Sequence, residues 1–105
     1  MRQTQQGDVL IYSVNKVPDG AKKVEPIDGK FVIAKGEVTG HAHVIEVKLG
    51  MKLYEKDRIL YLISTVEEPM THEEHKPSLI DPGITAFETV REKDHFTDII
   101  RQVRD

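Results

Sequence analysis

The chain has 105 residues, 38% of them hydrophobic, and a net charge of −3, which bounds it to one domain around one small core. Cysteine is absent, so disulfides, thiolate metal sites and cysteine nucleophiles are excluded. The acidic balance argues against a general nucleic-acid binder, which needs a basic face, and no apolar run approaches membrane-spanning length.

In chain order, Met1-Arg2-Gln3-Thr4-Gln5-Gln6 lacks the apolar core of a signal peptide, which sets the expectation of a cytoplasmic protein. Asp8 to Val14 is rich in β-formers and predicts a strand. Val17-Pro18-Asp19-Gly20 and Ile27-Asp28-Gly29-Lys30 read as turns, the second because Asp-Gly favours positive φ. Phe31 to Glu37 predicts another strand. Thr39-Gly40 turns the chain into an extended His41 to Lys48. Leu53 to Glu55 and Arg58 to Thr65 form a hairpin pattern around Lys56-Asp57. A polar stretch holding Pro69 and Pro77 reads as an exposed acidic loop. Asp81-Pro82-Gly83 has the signature of a type II turn, and Ile84 to Arg91 predicts the last strand.

The period then changes. Phe96, Ile99, Ile100 and Val103 recur at helical spacing, with Thr97 as N-cap, Asp98 in the first turn and Arg101 and Arg104 near the end. This predicts one short C-terminal helix over residues 97–103. The expected fold is therefore all-β, a small β-barrel or sandwich with that helix. A helix of barely two turns needs packing to hold it, and strand edges need covering. Both point to a homo-oligomer or a place in a larger protein assembly.

Four of the five histidines fall in two clusters, Gly40-His41-Ala42-His43 and Thr71-His72-Glu73-Glu74-His75, with 28 residues between His43 and His72. Imidazole binds Zn, Fe and Ni and titrates near neutral pH. Side chains alternate along a strand. His41, His43, Ile45 and Val47 therefore share one face, and Ala42, Val44, Glu46 and Lys48 share the other. The two imidazoles point toward an apolar interior. The second cluster is not the zinc-protease motif, because its histidines stand three apart and Pro69 and Pro77 oppose a long helix. Together the clusters predict one transition-metal site. Its expected ligands are His41, His43 and His72 or His75, with Glu74 or Glu73 as a fourth donor or a carboxylate orienting a ligand. Residues 53–105 carry 12 acidic against 7 basic side chains, and Glu67, Glu68, Glu73 and Glu74 surround this cluster.

His95 reads as a surface or capping residue. Tyr12, Tyr54 and Tyr61 sit in strand patterns as core or wall residues whose hydroxyls can face a pocket. Neither a Gly-rich phosphate loop nor a Gly-x-Ser-x-Gly motif is present, so no catalytic residue is assigned.

Gly36, His41, His43, Glu46 and Gly50 resemble, in order, the first motif of the cupins. These are small β-barrels that hold a metal with a His-x-His strand, a following Glu and a later His. The resemblance implies a cupin-like barrel and a metalloenzyme. A wider similarity runs through Gln6-Gly7-Asp8-Val9-Leu10, Gly36-Glu37-Val38-Thr39-Gly40-His41-Ala42-His43, Thr71-His72-Glu73-Glu74-His75, Pro82-Gly83 and Arg91-Glu92. It resembles a family of small uncharacterised bacterial and phage proteins. That implies shared histidine motifs and raises an assembly or capsid-surface role in a virion without catalysis. The leading expectation is a His-rich β-domain that binds a transition metal as a structural or interaction module, without enzymatic activity. In acid, protonated imidazole releases the metal and stability falls. Without metal, nearby glutamates favour charged imidazoles and the trend reverses.

Overall fold

The computed structural model describes residues 3–35, 42–72 and 75–89. These residues are all-β. The strands are β1 (Gln3–Gln6), β2 (Val9–Val14), β3 (Lys22–Val24), β4 (Lys30–Lys35), β5 (Ala42–Glu46), β6 (Lys52–Lys56), β7 (Ile59–Ser64), β8 (Glu68–His72), β9 (His75–Ile80) and β10 (Gly83–Thr89). They form two antiparallel sheets, ordered β1-β2-β10-β7-β6-β3 and β4-β5-β8-β9.

Alternation builds the core. Val9 and Ile11 of β2, Leu53 of β6, Leu62 of β7 and Phe87 of β10 bury one face of the larger sheet. Phe31, Ile33, Ile45, Met70 and Ile80 bury one face of the smaller, and all ten belong to a single cluster. The two sheets therefore share one apolar interior. Among the described residues neither sheet closes into a barrel, which corrects the barrel expectation in favour of two open sheets. The reason lies at the seam where β1 runs beside β9. There the link is the side chain of Gln6, which donates to backbone carbonyls of β8 and β9, rather than a backbone ladder.

The turns expected within residues 17–20 and 27–30 form, whereas Thr39-Gly40 lies outside the described residues and Pro82 is a bend leading directly into β10. Asp28 and Gly29 take φ of 51° and 75°, and Ile27 and Lys30 exchange both backbone hydrogen bonds around them. The hairpin expected around Lys56-Asp57 turns one residue later, at Asp57 and Arg58, with φ of 52° and 68°. This double positive φ belongs to a type I′ turn, which suits the twist of a two-residue hairpin. Arginine has a Cβ that opposes such a φ, whereas glycine does not. Arg58→Gly is expected to raise stability by about 0.5–1 kcal/mol, read as a higher urea midpoint with an unchanged slope. A lower midpoint would refute the strain at Arg58.

The polar stretch is the main correction. Residues 68–72 and 75–80 pair as the antiparallel strands β8 and β9 rather than forming an exposed loop. Inward positions of β8 are Glu68, Met70 and His72, so only one of the three carries an apolar signal. Pro69 is tolerated because β5 pairs β8 only at Thr71 and Met70, and Pro77 because β9 is an edge strand. The predicted helix over 97–103, with Phe96, Ile99, Ile100 and Val103, lies outside the described residues, as does His95. Among the described residues no helix is long and apolar enough to cross a membrane.

Candidate functional site

Three hairpin segments converge at one end of the fold. On β5 the expected faces hold: His43 is 1% exposed and Ile45 fully buried, while Ala42 and Val44 are half-buried on the other face. β5 pairs β8 with Val44 opposite Thr71, and one further step in that register sets His43 beside His72. A bulge between Met70 and His72 then makes His72 and His75 cross-strand partners. Ring centres stand 4.4 Å apart for His43–His72, 4.6 Å for His72–His75 and 6.1 Å for His43–His75. Both histidine clusters thus contribute to one group. His41, Glu73 and Glu74, the other expected donors, lie outside the described residues.

The third segment is the β1–β2 hairpin. Gly7 has φ of 58° and the following Asp8 has negative φ, the pattern of a type II′ turn with glycine at its first central position. Gln5 supports it by donating from Nε2 to the Gly7 carbonyl at 2.8 Å. Gln6 is 3% exposed and points inward. Its Nε2 donates to the carbonyls of Met70 and Lys76, each at 2.9 Å. Carbonyls only accept, so this amide orientation is fixed and Gln6 Oε1 must face His43 Nδ1, 2.7 Å away. Nδ1–H therefore donates to Gln6, and in neutral His43 the lone pair sits on Nε2. That nitrogen faces Asp8 Oδ1 at 3.4 Å. Gly7 packs directly on the rings: a Cβ there would stand 2.7 Å from His75 Nε2 and 3.3 Å from His43 Cε1.

Burial is the first cause that holds His43 below the usual imidazole pKa. Neighbouring His72 adds to it, against an opposing pull from Asp8. For His43, desolvation outweighs the pull of the Asp8 carboxylate; Glu73 and Glu74, among the glutamates expected to favour charged imidazoles, lie outside the described residues. The unfolded chain binds a proton near pH 6.5, the folded chain only at lower pH. His43 therefore contributes stability fully above about pH 6.5, and that contribution is lost as pH falls toward the depressed folded value. Chelator-treated protein is expected to lose urea stability below about pH 6.5, with a shallower loss in His43→Gln. Equal slopes for the two proteins would sink this assignment.

Residues 5–92 match the domain of unknown function DUF8820. The chain belongs to the DUF8820 family. The matched span of this DUF8820 domain takes in the hairpin segment Gln6-Gly7-Asp8 and all three described histidines. No curated protein and no solved structure matches the chain.

Within the DUF8820 domain, Glu46 does not take the place that the cupin resemblance implies. Its side chain is 68% exposed and lies 3.7 Å from Lys48, on the strand face opposite His43. Among the described residues, Asp8 instead places its carboxylate 3.4 Å from His43 Nε2. Gln6 and Asp8 escaped the sequence reading, although Gly-Asp ahead of the apolar run from Val9 is a hairpin signal. Tyr12, Tyr54 and Tyr61 are half-buried on the outer face of the larger sheet, away from the histidines. The Tyr12 hydroxyl donates to Glu88. Burial, followed by Glu88, raises the pKa of Tyr12 and of Tyr61 above the phenol range. Among the described residues, no three His, Asp or Glu side chains already stand in place to hold a metal ion.

Proposed function

We propose that this DUF8820 domain binds one first-row transition-metal ion, Zn, Fe or Ni, through His43, His72 and His75, as a structural or interaction module. The observation that carries the reading is the approach of three imidazoles from two distant clusters to ring-centre distances of 4.4–6.1 Å. Three imidazoles on one ion, with bonds of about 2.1 Å, have ring centres about 4.6–5.3 Å apart. Small turns of exposed His75 and half-buried His72 bring the donors into register, and such rotations are fast. His43 is the fixed member, because Gln6 holds its ring.

A structural role follows from where the donors originate. An ion there would brace β5, β8 and β9, neighbours in the smaller sheet, beside the seam where Gln6 links the two sheets. His41, and Glu74 or Glu73, are alternative donors for the remaining position of this set. We include self-association in this reading, since β1, β3, β4 and β9 are sheet edges; light scattering that shows only monomer would remove it.

Protein purified without an affinity tag is expected to carry about one equivalent of Zn, Fe or Ni by elemental analysis. Chelation should lower its stability, by about 2.7 kcal/mol if the ion was present at a hundred times its Kd. Metal-free protein whose unfolding is indifferent to all three ions would overturn the proposal.

A further inference from the structure

Two hydrogen-bond acceptors face each other at this site. Gln6 holds the proton of neutral His43 on Nδ1, so Nε2 presents a lone pair to the Asp8 carboxylate at 3.4 Å. With His43 neutral, nothing in that geometry is attractive; a positive centre between the two, either a proton on Nε2 that donates to Asp8 or a metal ion, makes it so. Two donors, each about 2.1 Å from one tetrahedral ion, are about 3.4 Å apart. The His43–Asp8 pair therefore has the spacing of one edge of a tetrahedral site, before either side chain moves.

We propose that Asp8 is the anionic fourth donor of the histidine site, and that Gln6 is a positioning residue that directs the His43 Nε2 lone pair at the ion. The proposal rests on the metal-binding reading above and adds residues from the β1–β2 hairpin. Three neutral imidazoles and one carboxylate leave a divalent ion with a net charge of +1. This oxygen-containing set favours Zn2+ over Cu+, which prefers sulfur ligands. Gly7 fits the same design, since its missing side chain lets the hairpin bring Asp8 against the rings. The Gln6–His43 bond is of the kind that fixes the tautomer of a ligating histidine, and loss of such partners weakens metal binding by about 10–100-fold.

The test uses Zn2+ affinity, by competition with a chromophoric chelator, and Co2+ as a spectroscopic probe, on wild type and Asp8→Asn. Asp8 is a turn residue with a side chain 34% exposed, so the variant is expected to fold. Asp8→Asn should weaken Zn2+ binding at least about ten-fold and change the visible Co2+ bands. Nitrogen-15 NMR of metal-free wild type should show neutral His43 protonated at Nδ1. Wild-type Zn2+ affinity and Co2+ bands retained in Asp8→Asn would overturn the Asp8 assignment while leaving the metal reading intact. Protonation at Nε2 would overturn the role of Gln6. Failure of wild type to bind either ion would defeat the metal reading itself, and this inference with it.

Discussion

Gln6→Leu is expected to destabilise the domain by about 2–4 kcal/mol. Gln6 is 3% exposed and makes three hydrogen bonds, donating to the Met70 and Lys76 carbonyls and accepting from His43 Nδ1. Leucine matches its bulk but leaves those partners in a site that water reaches poorly, and each buried polar group without a partner costs about 1–3 kcal/mol. The total is a large share of the roughly 5–15 kcal/mol that holds a domain folded. The loss is not only local, because Gln6 links β1 of one sheet to β8 and β9 of the other. Amide exchange should therefore accelerate along β1 and β9 before it does in the Leu53–Leu62 region of the core. Gln6→Glu separates the two functions of the side chain. It keeps an acceptor for His43 Nδ1–H but cannot donate to the carbonyls, so it should lose stability while preserving the tautomer. A urea midpoint for Gln6→Leu within about 0.5 kcal/mol of wild type, the range of an ordinary surface change, would show that the bridge does not hold the sheets together.

Gly7→Ala is expected to damage the histidine site more than its size suggests. The added methyl would stand 2.7 Å from His75 Nε2, 3.1 Å from His75 Cδ2 and 3.3 Å from His43 Cε1. It would also sit at φ of 58° in a turn that favours glycine. Backbone strain of this kind costs on the order of 1–3 kcal/mol. The ring contact is relieved by moving His75, an exposed side chain, away from the cluster, because His43 is locked by Gln6. Stability is thus expected to fall by the backbone cost alone, while binding of a divalent metal falls by at least about ten-fold, as the loss of an ordered ligand does. Circular dichroism should stay β-type. An alanine variant that keeps wild-type Zn2+ affinity would show that His75 is not a ligand, even if its stability had dropped.

Both expectations concern a hairpin of which sequence reasoning found only the second strand. β1 reads Gln-Thr-Gln-Gln, without an apolar residue, and three of its four side chains are exposed. Hydrophobic periodicity sees no strand there, because Gln6 is buried by hydrogen bonds rather than by transfer of apolar surface. The same blindness hid β8, where Glu68 and His72 occupy inward positions on either side of Met70. Local patterns worked where the driving force was apolar or conformational. The β-formers of Asp8 to Val14 predicted β2, and Asp28-Gly29 predicted the turn ahead of β4.

By itself, the sequence determined the all-β character, the shared inward face of His43 and Ile45, and the absence of any thiolate chemistry. These follow from side-chain alternation, turn propensity and composition, all local or countable properties. Tertiary structure alone decided that β5 lies beside β8, which turns two separate histidine motifs into one cluster. It also decided that the β1–β2 turn sets Asp8 against His43, while Glu46 faces solvent. Those relations depend on the register between strands far apart in the chain. Register is settled by the mutual packing of the two sheets and by a few buried hydrogen bonds, and no local pattern encodes them.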